Sequence, residues 1–154
     1  MAQPESLAAD DARLLDVLDL IHTAFTKMDG RIDPPSSVHS FDAGTLARHA
    51  SAGELVVIGT PPVAAMIMQT KTSTLYLGKL AVADANRRTG LARALVVFAA
   101  KTARQRGLNT LTLQTRVELT ENHATFRDLG FVETARTAHA GFDKPTSITF
   151  TMTV

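Results

Sequence analysis

Leu75-Tyr76-Leu77-Gly78-Lys79-Leu80-Ala81-Val82, followed by Arg87-Arg88-Thr89-Gly90-Leu91-Ala92 and an amphipathic run to Gly107, decides how this chain is read. The first block predicts a strand, and the second a tight, basic, glycine-containing loop that opens directly into a helix. Such a junction aims several backbone N–H groups and the positive end of a helix dipole at one spot, which suits a phosphate. The expectation is a phosphorylated ligand at that junction.

Downstream, the helix expected over residues 89–106 sets Leu91, Leu95, Phe98 and Thr102 on one face and leaves Arg93, Lys101 and Arg104 to solvent, with Gly107 as its cap. Residues 110–115 alternate polar and apolar as a strand does. The strand–helix–strand order makes this strand parallel to the one over Thr74–Val82, through a right-handed crossover. A short helix starting at Thr120 or Asn122 is stopped by Gly130, and two strands follow near 131–138 and 147–153. Upstream, Leu14, Leu18, Ile21, Phe25 and Met28 form the apolar stripe of a first helix of about four turns, ended by Gly30. The prolines and serines of 31–39 predict a loop. Asp42 caps a second helix through Ala50, and 54–59, 63–69 and 74–82 read as an antiparallel meander.

At 154 residues the expectation is one domain over 1–154. Hydrophobic content of 45%, charged content of 20% and a formal net charge of +1 supply no broad field for nucleic acid or an anionic membrane. With zero cysteines, a disulfide framework and a cysteine nucleophile are both excluded. The N-terminus has no basic region leading into an apolar segment and no apolar run is long enough to span a bilayer, so a soluble, cytoplasmic protein is expected. His22, His39, His49, His123 and His139 show no metal-ligand spacing, and no metal is expected. Neither a Gly-x-Ser-x-Gly elbow nor a Gly-x-x-x-x-Gly-Lys loop occurs, which argues against a serine hydrolase and against a different phosphate-binding fold.

Residues 87–92 fit the pattern Arg or Gln, two free positions, Gly, one free position, Gly or Ala. About forty residues on, roughly the span of one helix, strand and helix, Phe126-Arg127-Asp128-Leu129-Gly130-Phe131 fits an aromatic-x-x-Leu-Gly-Phe ending. On these two blocks the chain resembles the GNAT superfamily of acetyl-CoA-dependent N-acetyltransferases, well over 75–131 and in element order alone over the N-terminal third. The resemblance implies an α+β fold: a mixed, mostly antiparallel sheet of six or seven strands with helices on both faces. It implies acetyl-CoA as co-substrate, and the absence of cysteine favours direct transfer over an acyl-enzyme.

A coenzyme A pyrophosphate is a compact dianion. Gly90 lets the backbone approach it, the small Ala92 keeps the first turn of the helix clear, and Arg87, Arg88 and Arg93 can add charge-assisted hydrogen bonds alongside Thr89 and Leu91. The resemblance further implies that backbone groups of Leu80, Ala81 and Val82 pair with the pantetheine arm as an added strand would. Asn122, expected to cap its helix, and Phe126 border the same cofactor.

Acetyl transfer needs a neutral amine, a polarised thioester carbonyl and a proton for the departing thiolate. Many family members carry a tyrosine as that acid where this chain has Phe126, which cannot donate. Tyr76, the only tyrosine, lies six residues before Val82 and hence on the same strand face; the resemblance sets it near a position where several members hold a catalytic glutamate. It is the first candidate, against the alternative of an interior packing tyrosine, and Glu118 is the second. His123 and His139 are read as surface residues. For the acceptor, the resemblance places Asp33, Ser36, Ser37 and His39 over the cleft on a proline-stiffened loop. The expected acceptor is a small polar amine with Asp33 as its cation partner, no nucleic acid or membrane is expected as a partner, and a homodimer is compatible with the chain. Two further readings stay open: a catalytically silent acyl-CoA-binding sensor or interaction module, motivated by Phe126, and a protein or peptide N-acetyltransferase.

Overall fold

The computed structural model describes residues 2–154. Strands β1 (Glu5–Ser6), β2 (Leu55–Ile58), β3 (Ala64–Lys71), β4 (Thr74–Val82), β5 (Thr110–Arg116), β6 (Val132–Thr137) and β7 (Ser147–Thr153) form one sheet in the order β1-β2-β3-β4-β5-β7-β6. Every neighbouring pair is antiparallel except β4 and β5, which are parallel and joined by the crossover helix α3 (Leu91–Gln105). The expected fold class is the observed one. Among the described residues no helix is long and apolar enough to cross a membrane.

Strand alternation divides the apolar side chains between two cores. Val56, Ile58, Met66, Met68, Leu75, Leu77, Leu111 and Leu113 pack with α3 and with α4 (Thr120–Leu129) on one face. Leu55, Val57, Ala65 and Ile67 pack on the other with α1 (Leu14–Thr26) and α2 (Ala43–Ser51). Asp42 caps α2 as expected, its Oδ1 accepting from the Thr45 backbone N–H at 2.8 Å. In α3 the buried face runs through Leu91, Leu95, Val96, Ala99, Ala100 and Ala103, so it is centred on Ala99 rather than on Phe98 and Thr102. The alanines let the helix sit close on the sheet, and the Thr102 hydroxyl bonds back to the Phe98 carbonyl at 3.0 Å on the flank.

Three short elements carried no sequence signal, one of them the 3₁₀ turn Asp84–Asn86 before the α3 loop. β1 has two residues, too few for a period, and exists by pairing with β2. The loop over 31–41 contains a 3₁₀ turn, Ser37–Ser40, begun by Ser36, whose hydroxyl accepts from the Val38 N–H at 3.2 Å.

One irregularity in β4 governs the site. Ile67 of β3 faces Gly78 and Ala65 faces Ala81, so three steps along β4 match two along β3. The extra residue forms a bulge at which Lys79 adopts φ +50°, a left-handed conformation that non-glycine residues seldom hold. A bulge exchanges the faces of everything beyond it. Leu75 and Leu77 face the α3 core, Ala81 faces the α1 core, and Leu80 and Val82 pack against the α3 core. Tyr76 and Val82 therefore point to opposite sides of the sheet, which corrects the count of six residues to one face; that count assumes an unbroken period of two.

Candidate active site

β4 and β5 pair at three positions only, from Leu75↔Leu111 to Leu77↔Leu113. Beyond that point β4 stays bound to β3 as far as Val82, and β5 stays bound to β7 as far as Arg116. Each strand keeps its outer neighbour while the two lose one another, and a gap opens through the sheet. A cavity of about 450 Å³ occupies it. Tyr76, Lys79 and Arg116 line the cavity together with Phe25, Ser36 and Ser37 from α1 and its following loop, and Asn122 and Phe126 of α4 close the opposite side.

Tyr76 leans over Gly78, one ring carbon standing 3.6 Å from where a Cβ there would be, and Lys71 Nζ lies 4.1 Å from its ring centroid. Burial raises the phenol above its ordinary value, so the hydroxyl keeps its proton throughout the neutral range. Phe126 packs edge-on to Phe131 with centroids 6.2 Å apart. Asn122 does not cap α4. That helix begins at Thr120 without a side-chain cap, and Asn122, within its first turn, donates to Thr115 Oγ1 at 3.5 Å on the cavity wall. His123 is buried rather than superficial, because α4 packs it against Phe150 and its Nε2 meets the Arg116 carbonyl at 2.9 Å. His139 is half-buried, bonded to Thr146, and lines the cavity.

Three candidates lie outside this lining. Glu118 is exposed, its Oε2 accepting from the Asp33 backbone N–H at 3.1 Å, and the Asp33 carboxylate is exposed as well. His39 pairs with Asp29 at 2.8 Å, and the two line a separate hollow with Gly30, Ile32 and Pro35.

Three contributors went unread in the sequence. Lys79 sends its Nζ to Ser37 Oγ at 2.7 Å, between the rings of Phe25 and Phe41 at 5.4 and 5.6 Å. Arg116 donates to the carbonyls of Pro34 and Pro35 at 2.6 and 3.1 Å, tying β5 to the loop. His49 of α2 lines the cavity stacked on Phe41, its Nδ1 2.7 Å from Glu54 Oε1. Only the bulge, which no composition signals, brings Lys79 into the cavity; the other two are ordinary residues placed by packing.

At the far end, α3 starts at Leu91 after Gly90 at φ +87°, and no side chain caps its first turn. The N–H groups of Leu91, Ala92 and Arg93 are those a helix leaves without an internal partner. Arg88 at φ +63° and Gly90 twist the preceding loop, and nothing lies within 4 Å of a Cβ built on Gly90, so the space over it is open. Arg87 pairs with Asp84 at 3.3 Å, Thr89 bonds the Asn86 carbonyl, and Arg93 reaches the Asp128 carbonyl at 3.4 Å. The β4 edge from Gly78 to Val82, unpaired on the β5 side, leads from this turn to the cavity.

The sequence matches the model of the acetyltransferase (GNAT) family over residues 16–131. The chain belongs to that family and is an acetyl-CoA-dependent N-acetyltransferase, with acetyl-CoA as co-substrate. No curated protein matches it significantly. Solved structures share its fold. A GNAT-family acetyltransferase from Listeria monocytogenes superposes with a TM-score of 0.76 at 17% identity, covering 99% of this chain and 95% of that one. The PaiA N-acetyltransferase of Thermoplasma acidophilum, solved in complex with coenzyme A, gives 0.78 at 10% identity over 100% and 99%. The ribosomal-protein-S18-alanine N-acetyltransferase of Escherichia coli gives 0.65 at 22% identity over 99% and 94%.

Proposed function

We propose that this enzyme transfers acetyl directly from acetyl-CoA to the primary amine of a small molecule. The observation that carries the reading is the cavity at the β4/β5 gap: its volume of about 450 Å³ is of small-molecule size, and Pro35, Ser36 and Ser37 of the loop over 31–41 form part of its wall. The residues fit coenzyme A. The uncapped turn at Leu91–Arg93, the open space over Gly90 and the charge of Arg88 suit its pyrophosphate, and the free edge of β4 at Leu80, Ala81 and Val82 suits its amide-bearing arm.

Acetyl-CoA supplies an activated acyl group, so the chain's own residues have two protons to manage. One leaves the acceptor nitrogen and one must reach the departing sulfur. His49, held at Nδ1 by Glu54, has Nε2 for the first task. Tyr76, kept protonated by burial, is suited to the second, directly or through water, where Phe126 has nothing to give. With zero cysteines no thiol is available to carry the acetyl group between substrates.

A panel of small amines and short peptides, assayed by release of free thiol with the product identified by mass, tests the proposal. Acetylated small amines support it. Turnover confined to peptide amino groups would replace it.

A further inference from the structure

We propose that the acceptor carries an anionic group, carboxylate or phosphate, seated against Lys79 at the loop side of the cavity. This rests on the small-amine reading above and adds the charge of the molecule.

The cavity is lined by Lys79 and Arg116 and by no aspartate or glutamate. A cationic acceptor such as a diamine finds no counter-charge there, and an anionic one finds two. Arg116 is partly answered, since its guanidinium holds the Pro34 and Pro35 carbonyls and has Asp33 and Glu118 behind it, outside the lining. Lys79 is not answered. Its half-buried ammonium has one hydroxyl, Ser37 Oγ at 2.7 Å, and two aromatic faces, and among the described residues it pairs with no carboxylate. Burial, with the nearby Arg116 charge second, pushes this lysine below its ordinary value, the mark of a cation short of a partner. A desolvated charge without a counter-ion is costly, and a ligand anion offsets that cost.

The backbone adds an independent observation. Lys79 holds φ +50° at the bulge, where glycine would sit without strain, so the side chain stands at the cavity despite an unfavourable main-chain conformation. Ser37 puts a hydroxyl beside it, a common complement to an anion's oxygens, and Ser36 also lines the cavity.

The test compares four amines of similar length: γ-aminobutyrate, phosphoethanolamine, butylamine and putrescine. The wild-type enzyme should prefer an anionic amine over butylamine by at least about tenfold in kcat/KM, as a charge-assisted contact gives, with putrescine poorest. Whichever of γ-aminobutyrate and phosphoethanolamine is better identifies the anion. Lys79→Met should cut the ratio of anionic to neutral amine by about tenfold, mainly through KM. Lys79→Arg, which keeps the charge, should restore most of it. Putrescine equal to or better than the anionic amines, or a ratio unmoved by Lys79→Met, overturns the proposal. If none of the four is acetylated, calorimetry on the coenzyme A-bound protein decides. Binding of an anionic amine that Lys79→Met abolishes upholds the anion seat and counts against acetylation of these amines alone, whereas binding of putrescine alone, or of none, overturns the seat itself.

Discussion

The two ends of the cleft are built from different materials. At the α3 end the groups proposed to hold the ligand are backbone N–H groups of one contiguous turn, presented by a loop whose conformation Gly90 sets. At the acceptor end they are side chains from five separated places: α1, the loop after it, α2, the β4 bulge and the end of β5. A backbone site survives loss of almost any one side chain. A side-chain site does not, and its chemistry can change while the fold stays fixed.

The difference can be broken first at Tyr76. Tyr76→Phe removes only a hydroxyl, and turnover should fall roughly a hundredfold with coenzyme A affinity unchanged, as for a lost acid; an undiminished steady-state rate leaves water as the proton donor. Because burial lifts the phenol above its ordinary value, the wild-type rate should show no loss of this acid between pH 6 and 9, roughly a unit or more below an ordinary tyrosine. His49→Gln should cost less, roughly tenfold near neutrality, since an amine can also lose its proton to bulk water before it binds. That deficit should shrink as pH rises, and a deficit constant with pH argues for a packing role.

Smaller still is Arg88→Ala at the other end. It deletes an exposed side chain from a backbone-built site, so coenzyme A affinity measured by calorimetry should fall by only about three- to fivefold. A hundredfold loss would mean that side chains, not N–H groups, carry the phosphate. Least affected is the scaffold. The Asp42 carboxyl is held below its usual range first by the Thr45 N–H and then by the Thr45 hydroxyl. The folded value being the lower one, its contribution is present above the unfolded value of about 3.9 and is lost as pH falls through the folded one. Asp42→Asn should therefore melt earlier than wild type at neutral pH and converge with it at acid pH.

The same contrast explains what could be read in advance. The α3 junction was legible because its parts are adjacent: Arg87 to Ala92 specify a turn and a helix start within one short window, and strand periodicity supplies the rest of the sheet except the two-residue β1. Lys79 was not legible, because the bulge that turns it into the cavity arises from the β3 pairing and has no local mark beyond Gly78. The same bulge undid the placement of Tyr76 and Val82 on one face. Arg116 and His49 needed the loop and α2 to be folded over the sheet before either had a role. Asp33 rests on the resemblance that sets its loop over the cleft and Glu118 on its place just beyond β5, and the fold leaves both exposed, Glu118 spending a carboxylate oxygen on the Asp33 backbone N–H.

The central claim is that the uncapped start of α3 receives the coenzyme A pyrophosphate, and Gly90→Glu tests it most directly. The substitution puts an anion over the open space and a side chain on a residue at φ +87°. Calorimetric titration with coenzyme A, on a variant shown to be folded by circular dichroism, should give affinity weaker by at least about tenfold, roughly 1.4 kcal/mol. Unaltered affinity in that folded variant would contradict the account.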